Sequence, residues 1–304
     1  MHAINQTIGI PQRSDAPMVD IQTKLYTQGQ LGERNVIMLI PGGPGNDMSM
    51  YDDPSQSIAR VFFQVADVVL FDPRSCGKSG KSDIQYTSLH HYIDDIEALR
   101  IQLAIPKERF CIFGQSYGSI AALGYAIRYP RSLKKLLLIG GAIDSSFIDC
   151  AKEALNHIGS PQQIEFAKKL WRGTFNGSTK EIADFYHLMS PLYSYTFTPG
   201  EPPLEIGYNL EVMNFGWSDF LHSFDFKPKL NQILCEVLIL WGEQEWLFPR
   251  EHVHYLQQQI KTSKLIRYQQ CMHMLWIDQW DRFKKDSLCF FSEHNQDKLD
   301  NESL

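Results

Sequence analysis

Short, almost uninterrupted apolar runs alternate along this chain with longer stretches in which apolar residues recur every three or four positions. The runs Val36-Ile37-Met38-Leu39-Ile40, Phe110-Cys111-Ile112-Phe113 and Val237-Leu238-Ile239-Leu240-Trp241 lack the polar alternation of a half-exposed strand. They read as strands buried on both faces. Strands are predicted near residues 19–27, 35–40, 66–71, 109–114, 134–140, 236–241 and 264–268, and helices near 54–64, 88–103, 117–129, 249–260 and 278–291. Strand and helix in alternation predict an α/β chain with a mostly parallel sheet flanked by helices.

The alternation stops between Gly141 and about Ile233. Helical patterns there mix with Pro191, Pro199, Pro202 and Pro203, and aromatic residues are dense. The reading is a helical cap over residues 143–232, set into a core made of 1–142 and 233–304. Some of the cap aromatics, Trp217 among them, are expected to line an apolar pocket while most pack the cap itself. The tail 292–304 is polar and expected to fray.

Composition narrows the classes. A chain of 304 residues suits one large domain with an insertion, and 43 % apolar with 21 % charged residues is an ordinary globular balance. Acidic residues outnumber basic ones, 35 to 29, for a formal charge of −6, so no basic footprint for nucleic acid or an anionic membrane exists. Residues 1–17 have no apolar core of a signal peptide, and no stretch reaches the roughly 18 apolar residues of a membrane span. Six cysteines are scattered without CxxC spacing, which reads as free, mostly buried thiols of a cytoplasmic protein, Cys271 included. His90, His91, His252 and His254 read as solvated helix residues, since no ligand spacing completes a zinc pattern around them. No metal or cofactor is expected.

The chemistry concentrates after three strands. Gly114-Gln115-Ser116-Tyr117-Gly118 sits between a strand and a helix-forming stretch, the context of a nucleophile elbow that pushes the Ser116 hydroxyl out above the sheet. Upstream, the strand 36–40 runs into Pro41-Gly42-Gly43-Pro44-Gly45. Hydrolysis of an ester or amide puts negative charge on the carbonyl oxygen, and two preorganised backbone N–H groups stabilise it. Gly43 and Tyr117, the residue after the nucleophile, are the expected donors. The partners should follow in the order serine, acid, histidine. The strand 237–241 delivers Gly242-Glu243-Gln244-Glu245, and a weaker strand precedes Gln269-Gln270-Cys271-Met272-His273. His273 is the expected general base. Glu245 is preferred over Glu243 as the acid because it lies further into the loop beyond the strand.

These residues resemble a known family. Pro41-Gly42-Gly43-Pro44-Gly45, Asp72-Pro73-Arg74-Ser75-Cys76-Gly77-Lys78-Ser79 and the Ser116 elbow are similar to the proline iminopeptidase group of α/β-hydrolases, over roughly residues 18–142 and 233–292. The resemblance implies an α/β-hydrolase fold with the cap inserted after the sixth core strand. Pro41, Pro73, Ser75 and Glu245 replace histidine, glutamine, glycine and aspartate of the family pattern. Family members hold the substrate's free amino group with acidic residues. The resemblance offers Asp219, in a cap segment running from Met213 to Phe220, as one such contact, while Trp246 stands where some members carry a glutamate. Glu205 and Glu211 read as solvated charges.

The expectation is a serine hydrolase with a Ser-His-Glu triad, releasing N-terminal proline or small apolar residues from peptides. The alternatives are a carboxylesterase acting on small apolar esters, its pocket walled by Trp246 and cap aromatics, and a noncatalytic binding protein on the same fold. The partner is a small peptide or ester, and the oligomeric state stays open.

Overall fold

The computed structural model of the chain describes residues 3–12, 15–176, 179–197 and 206–292. Eight strands form one sheet: β1 (Ala3–Ile10), β2 (Val19–Tyr26), β3 (Val36–Ile40), β4 (Asp67–Phe71), β5 (Phe110–Gln115), β6 (Lys135–Ile139), β7 (Glu236–Gly242) and β8 (Ser263–Tyr268). Their spatial order is β1-β2-β4-β3-β5-β6-β7-β8. The β1–β2 and β2–β4 pairs are antiparallel and every other pair is parallel. The register sets Ile40 beside Gly114, Gln115 beside Ile139 and Ile139 beside Leu240. The carboxyl ends of β3, β5, β6 and β7 therefore finish level, where an open parallel sheet presents its ligand crevice.

Both faces of the sheet are covered. Along β3, Val36, Met38 and Ile40 join one apolar cluster while Ile37 and Leu39 join the other. The first cluster takes in α2 (Leu89–Gln102), α3 (Tyr117–Arg128) and α8 (Arg250–Gln259); the second takes in α1 (Ile58–Phe62), α9 (Leu275–Asp278) and α10 (Trp280–Phe291). Phe62, Phe113 and Phe291 lock the second layer, with Phe62 edge-on to each of the other two at 5.2 Å. Each such fully buried side chain contributes about 1.5–3 kcal/mol of transfer free energy.

Strand β1 is absent from the sequence reading, for a physical reason. It is an edge strand in which only Ile10 is fully buried, and its remaining apolar residues alternate with Asn5, Gln6 and Thr7 without making a run. Counting β1 makes β6 the sixth strand, so the insertion follows the sixth strand as expected. The helix expected near 54–64 shrinks to α1, because Ser57 caps it by accepting from the Arg60 N–H and the preceding residues turn around Asp53. The helix expected at 278–291 divides into α9 and α10 at Gln279.

Between β6 and β7 the chain builds α4 (Phe147–Ile158), α5 (Pro161–Arg172), α6 (Thr179–Tyr193) and α7 (Leu210–Ser218). Helix α5 begins with a reciprocal capping box, Ser160 with Gln163, and ends at Gly173 in a left-handed conformation. The two connections of this insertion run side by side. Ser145 N–H donates to Phe224 O at 3.0 Å and Phe226 N–H donates to Ile143 O at 2.8 Å, bracketing an antiparallel bridge between Asp144 and Asp225. Pro199, Pro202, Pro203, Glu205 and the chain beyond residue 292 lie outside the described residues. All six cysteines are free, four of them buried, and no described helix is long and apolar enough to cross a membrane.

Candidate active site

The turn from β5 into α3 is enforced by close packing. A Cβ on Gly118 would lie 2.1 Å from the carbonyl oxygen of Ile40, and one on Gly114 would lie 2.5 Å from that of Gly118. Both distances are impossible for a side chain, so strand and helix approach this closely only through glycine. Ser116 is left at φ 58°, ψ −131°, a conformation that non-glycine residues rarely hold unless their surroundings impose it. Strain of this kind at a serine above a parallel sheet is the signature of a nucleophile elbow.

The glycine loop after β3 reaches the same point. Gly42 lies so near the serine that its Cβ would contact Ser116 Cβ at 3.4 Å. The Gly42 N–H points away, to Met50 Sδ at 3.2 Å. The Gly43 N–H and the Tyr117 N–H, at the first position of α3, meet no acceptor among the described residues. The loop is braced from behind by the Asp72-to-Ser79 segment, where Asp72 accepts from Met48 N–H at 3.1 Å and Lys78 N–H at 2.8 Å. Arg74 is buried there and forks onto Asp95 of α2 at 2.7 and 2.9 Å.

Beyond β7, Glu245 turns inward. Its Oε2 lies 2.6 Å from His273 Nδ1 and its Oε1 accepts from the Leu247 N–H at 2.7 Å, with both the acid and the imidazole shut away from solvent. Glu243 is exposed and has no such contact. The acid and histidine loops meet at Gly242, where a Cβ would lie 2.5 Å from Cys271 O. The His273 ring is held between Tyr193 of α6, edge-on at 5.2 Å, and Phe248 at 5.6 Å. Burial pushes the Cys271 thiol up to about 12, so it stays a neutral packing group beside the histidine. The second ring nitrogen of His273, Nε2, meets the side-chain amide nitrogen of Gln115 at 2.9 Å.

Ser116, Gly43, Gln115 and His273 open into one cavity of about 360 Å³ between the sheet edge and the insertion. Leu170, Phe185, Met213, Trp217 and Leu247 give it an apolar wall, and Asn46, Gln56 and Ser190 add neutral polar groups. Apart from His273, no acidic or basic side chain among the described residues lines it.

The substrate contacts expected from sequence divide. Trp217 lines the cavity. Trp246 does not: it is buried behind the wall, donating its indole N–H to Leu192 O at 2.8 Å. Asp219, expected as a substrate contact, is exposed at the carboxyl end of α7 and does not line the cavity. Helical register explains it: Met213 and Trp217, four residues apart, share the inward face, and Asp219 falls beyond it. Glu211 is exposed, as expected. Gln115 escaped the sequence reading, although it stands inside the elbow pentapeptide.

Two histidines read as solvated are buried. His252 accepts from Ile143 N–H at 3.3 Å beside the seam of the insertion. His91 is bonded to Ser88 Oγ at 2.8 Å and Asp15 at 2.8 Å. With His90 these form a group of possible metal donors within 4.8 Å of one another, remote from the cavity. Both ring nitrogens of His91 are already committed, so a metal ion bound there would have to displace one of these bonds.

Comparison with known proteins agrees with this fold. Residues 35–177 match the family model described as the alpha/beta hydrolase fold. A proline iminopeptidase of Pestalotiopsis fici is 28 % identical over 236 residues, covering 74 % of this chain and 83 % of that protein. A proline iminopeptidase of Lactobacillus helveticus is 24 % identical over 288 residues, covering 88 % and 93 %. Among solved structures, an alpha/beta fold family hydrolase from Bacillus anthracis superposes with a TM-score of 0.74 at 18 % identity, covering 93 % of this chain and 97 % of its own.

Proposed function

Because the chain has the α/β-hydrolase fold and proline iminopeptidases among its relatives, we propose that it is a serine hydrolase working through an acyl-enzyme. Ser116 is the nucleophile, His273 the general base, and Glu245 the carboxylate that orients the imidazole. The observation that carries this reading is the buried 2.6 Å Glu245–His273 pair opening onto the same cavity as a serine in a forced conformation.

The steps follow from the geometry. Glu245 takes the Nδ1 proton as a hydrogen bond, fixing the tautomer that leaves Nε2 basic, and stabilises the imidazolium once it forms. Ser116 Oγ attacks the carbonyl carbon while its proton passes to Nε2. Negative charge on the carbonyl oxygen falls to the Gly43 and Tyr117 N–H groups, which cost no reorganisation at that moment. The imidazolium then protonates the leaving group, and water repeats the sequence on the acyl-enzyme. The helices of residues 143–232 act as the cap that closes the pocket.

The substrate favoured by the cavity is an uncharged ester with a small apolar acyl group. An N-terminal amino group is a cation, and the described residues of the wall offer no carboxylate to offset its desolvation. A second reading, removal of N-terminal proline, rests on the names of the two curated relatives. Labelling by a fluorophosphonate probe, abolished in Ser116→Ala, tests the mechanism. A panel of p-nitrophenyl esters beside proline, alanine and leucine arylamides tests the substrate. Ester turnover with negligible arylamide cleavage is the expected result; proline arylamide as the best substrate overturns the ester reading.

A further inference from the structure

His273 has both ring nitrogens occupied. Nδ1 faces the Glu245 carboxylate at 2.6 Å, so Nδ1 carries the proton and Nε2 offers a lone pair. The group filling that lone pair is the Gln115 amide nitrogen at 2.9 Å. An amide oxygen there would set two acceptors face to face, so the tautomer decides which end of the carboxamide meets the ring. Gln115 is 1 % exposed and His273 3 %, so the bond lies deep in the cavity wall with little solvent around it. Ser116 Oγ, by contrast, is hydrogen-bonded to no described residue.

We propose that Gln115 is a latch on the general base, resting on the assignment of Ser116 and His273 made above. In the empty pocket its amide N–H holds the lone pair that must receive the serine proton, and the substrate releases it. Gln115 lines the cavity together with Gly43 and Ser116, so an acyl group entering the pocket reaches the latch directly. An acceptor oxygen close to the scissile carbonyl takes over the amide N–H and frees Nε2. The Oγ–H bond then breaks, Nε2–H forms, and Oγ bonds to the carbonyl carbon as the carbonyl π pair moves onto its oxygen. A plain alkanoyl group has to displace the amide without replacing its bond. Gln115 is thus a positioning residue that makes the enzyme prefer acyl groups with a second oxygen near the carbonyl, such as 2-alkoxy acids.

The p-nitrophenyl esters of methoxyacetic and butyric acid test this, since their acyl chains match in length and differ by one ether oxygen. Their kcat/KM ratio is taken relative to their ratio of hydroxide-catalysed hydrolysis, which removes intrinsic reactivity. The wild-type enzyme should favour methoxyacetate beyond that baseline by about fivefold, the worth of one net hydrogen bond. Gln115→Met should bring the ratio back to the baseline, chiefly by raising kcat/KM for the butyrate. In the ligand-free protein the ¹⁵N resonance of His273 Nε2 should move downfield when the donor is lost, a change that mere loosening of the fold does not produce. Gln115→Asn, too short to reach the ring, should reproduce both effects if the methionine variant folds poorly. An unchanged ratio, or an unchanged Nε2 resonance, overturns the latch while leaving the hydrolase reading intact. Failure of wild-type Ser116 to react with a fluorophosphonate overturns both.

Discussion

Trp246 donates its indole N–H to the carbonyl of Leu192 across 2.8 Å, tying the acid loop to the last turn of α6. The next residue, Tyr193, carries the ring that meets His273 edge-on. A residue expected to touch substrate therefore supports the wall that holds the His273 ring. Trp246→Phe strands a buried acceptor, and the expected loss is about 1–3 kcal/mol of stability. Urea titration should show a lower midpoint with an unchanged slope.

Of the two glutamates in the acid loop, Glu245, the one preferred on sequence, meets His273, while Glu243 is exposed. Glu245→Gln keeps the shape and removes the charge that orients and stabilises His273, so turnover should fall by at least about a thousandfold, as should that of Ser116→Ala. Glu243→Gln should stay close to wild type. Burst kinetics with a p-nitrophenyl ester measure all three, and a crippled Glu243 variant would reverse the assignment.

Arg74 is a structural counter-ion in a dry place. Its guanidinium forks onto Asp95 and donates further to Pro17 O at 2.9 Å and Ser82 Oγ at 3.0 Å. Arg74→Met leaves the Asp95 charge buried alone, and the expected destabilisation is about 3–5 kcal/mol. A thermal or urea midpoint within error of wild type would show that the site admits water or a proton at no cost.

His252 gives stability a pH dependence of definite sign. Burial holds its pKa below the usual histidine value, against the pull of the nearby Asp144 carboxylate, with Lys227 and Glu251 also facing it. The neutral ring accepts from Ile143 N–H and lies 3.1 Å from Ser146 Oγ. Its contribution is complete above the unfolded value of about 6.5 and is lost as pH falls towards the depressed folded value, because the unfolded chain takes the proton first. Between pH 7.5 and 5.5 the wild-type melting temperature should fall more than that of His252→Gln. Parallel curves for the two proteins would remove this role.

Asp219→Asn should leave ester kcat/KM within about twofold and stability within about 0.5 kcal/mol, as for an exposed charge without a buried partner. Selective loss of arylamide cleavage in this variant would return Asp219 to the substrate site.

The loops proposed to bear the chemistry around Ser116 and Glu245 were legible because each follows a strand buried on both faces, where an apolar run and a glycine turn are hard to mistake. His273 follows β8, a partly buried edge strand, and was placed by chain order instead. His252 was misjudged, and the exposed position of Asp219 was not foreseen, because side-chain exposure on the insertion and on α8 depends on how those helices meet the core, which local pattern does not encode. The Gln115–His273 contact spans 158 residues of sequence and arises only when β5 and the loop after β8 are brought to one edge. Strand β1 was missed because an exposed edge strand needs no hydrophobic signal of its own.

The paired connections at Ile143–Ser145 and Phe224–Phe226 mean that the core holds both ends of the insertion at a fixed gap of hydrogen-bond width, whatever is threaded between them. The entropy of closing that long excursion is met once, at the seam, and grows only slowly with its length. Helices α4 to α7 are in this sense a cartridge: they can be lengthened, shortened or exchanged for another set without shifting β6 against β7. The loops that carry Ser116, Glu245 and His273 would keep their spacing while the pocket above them is rebuilt.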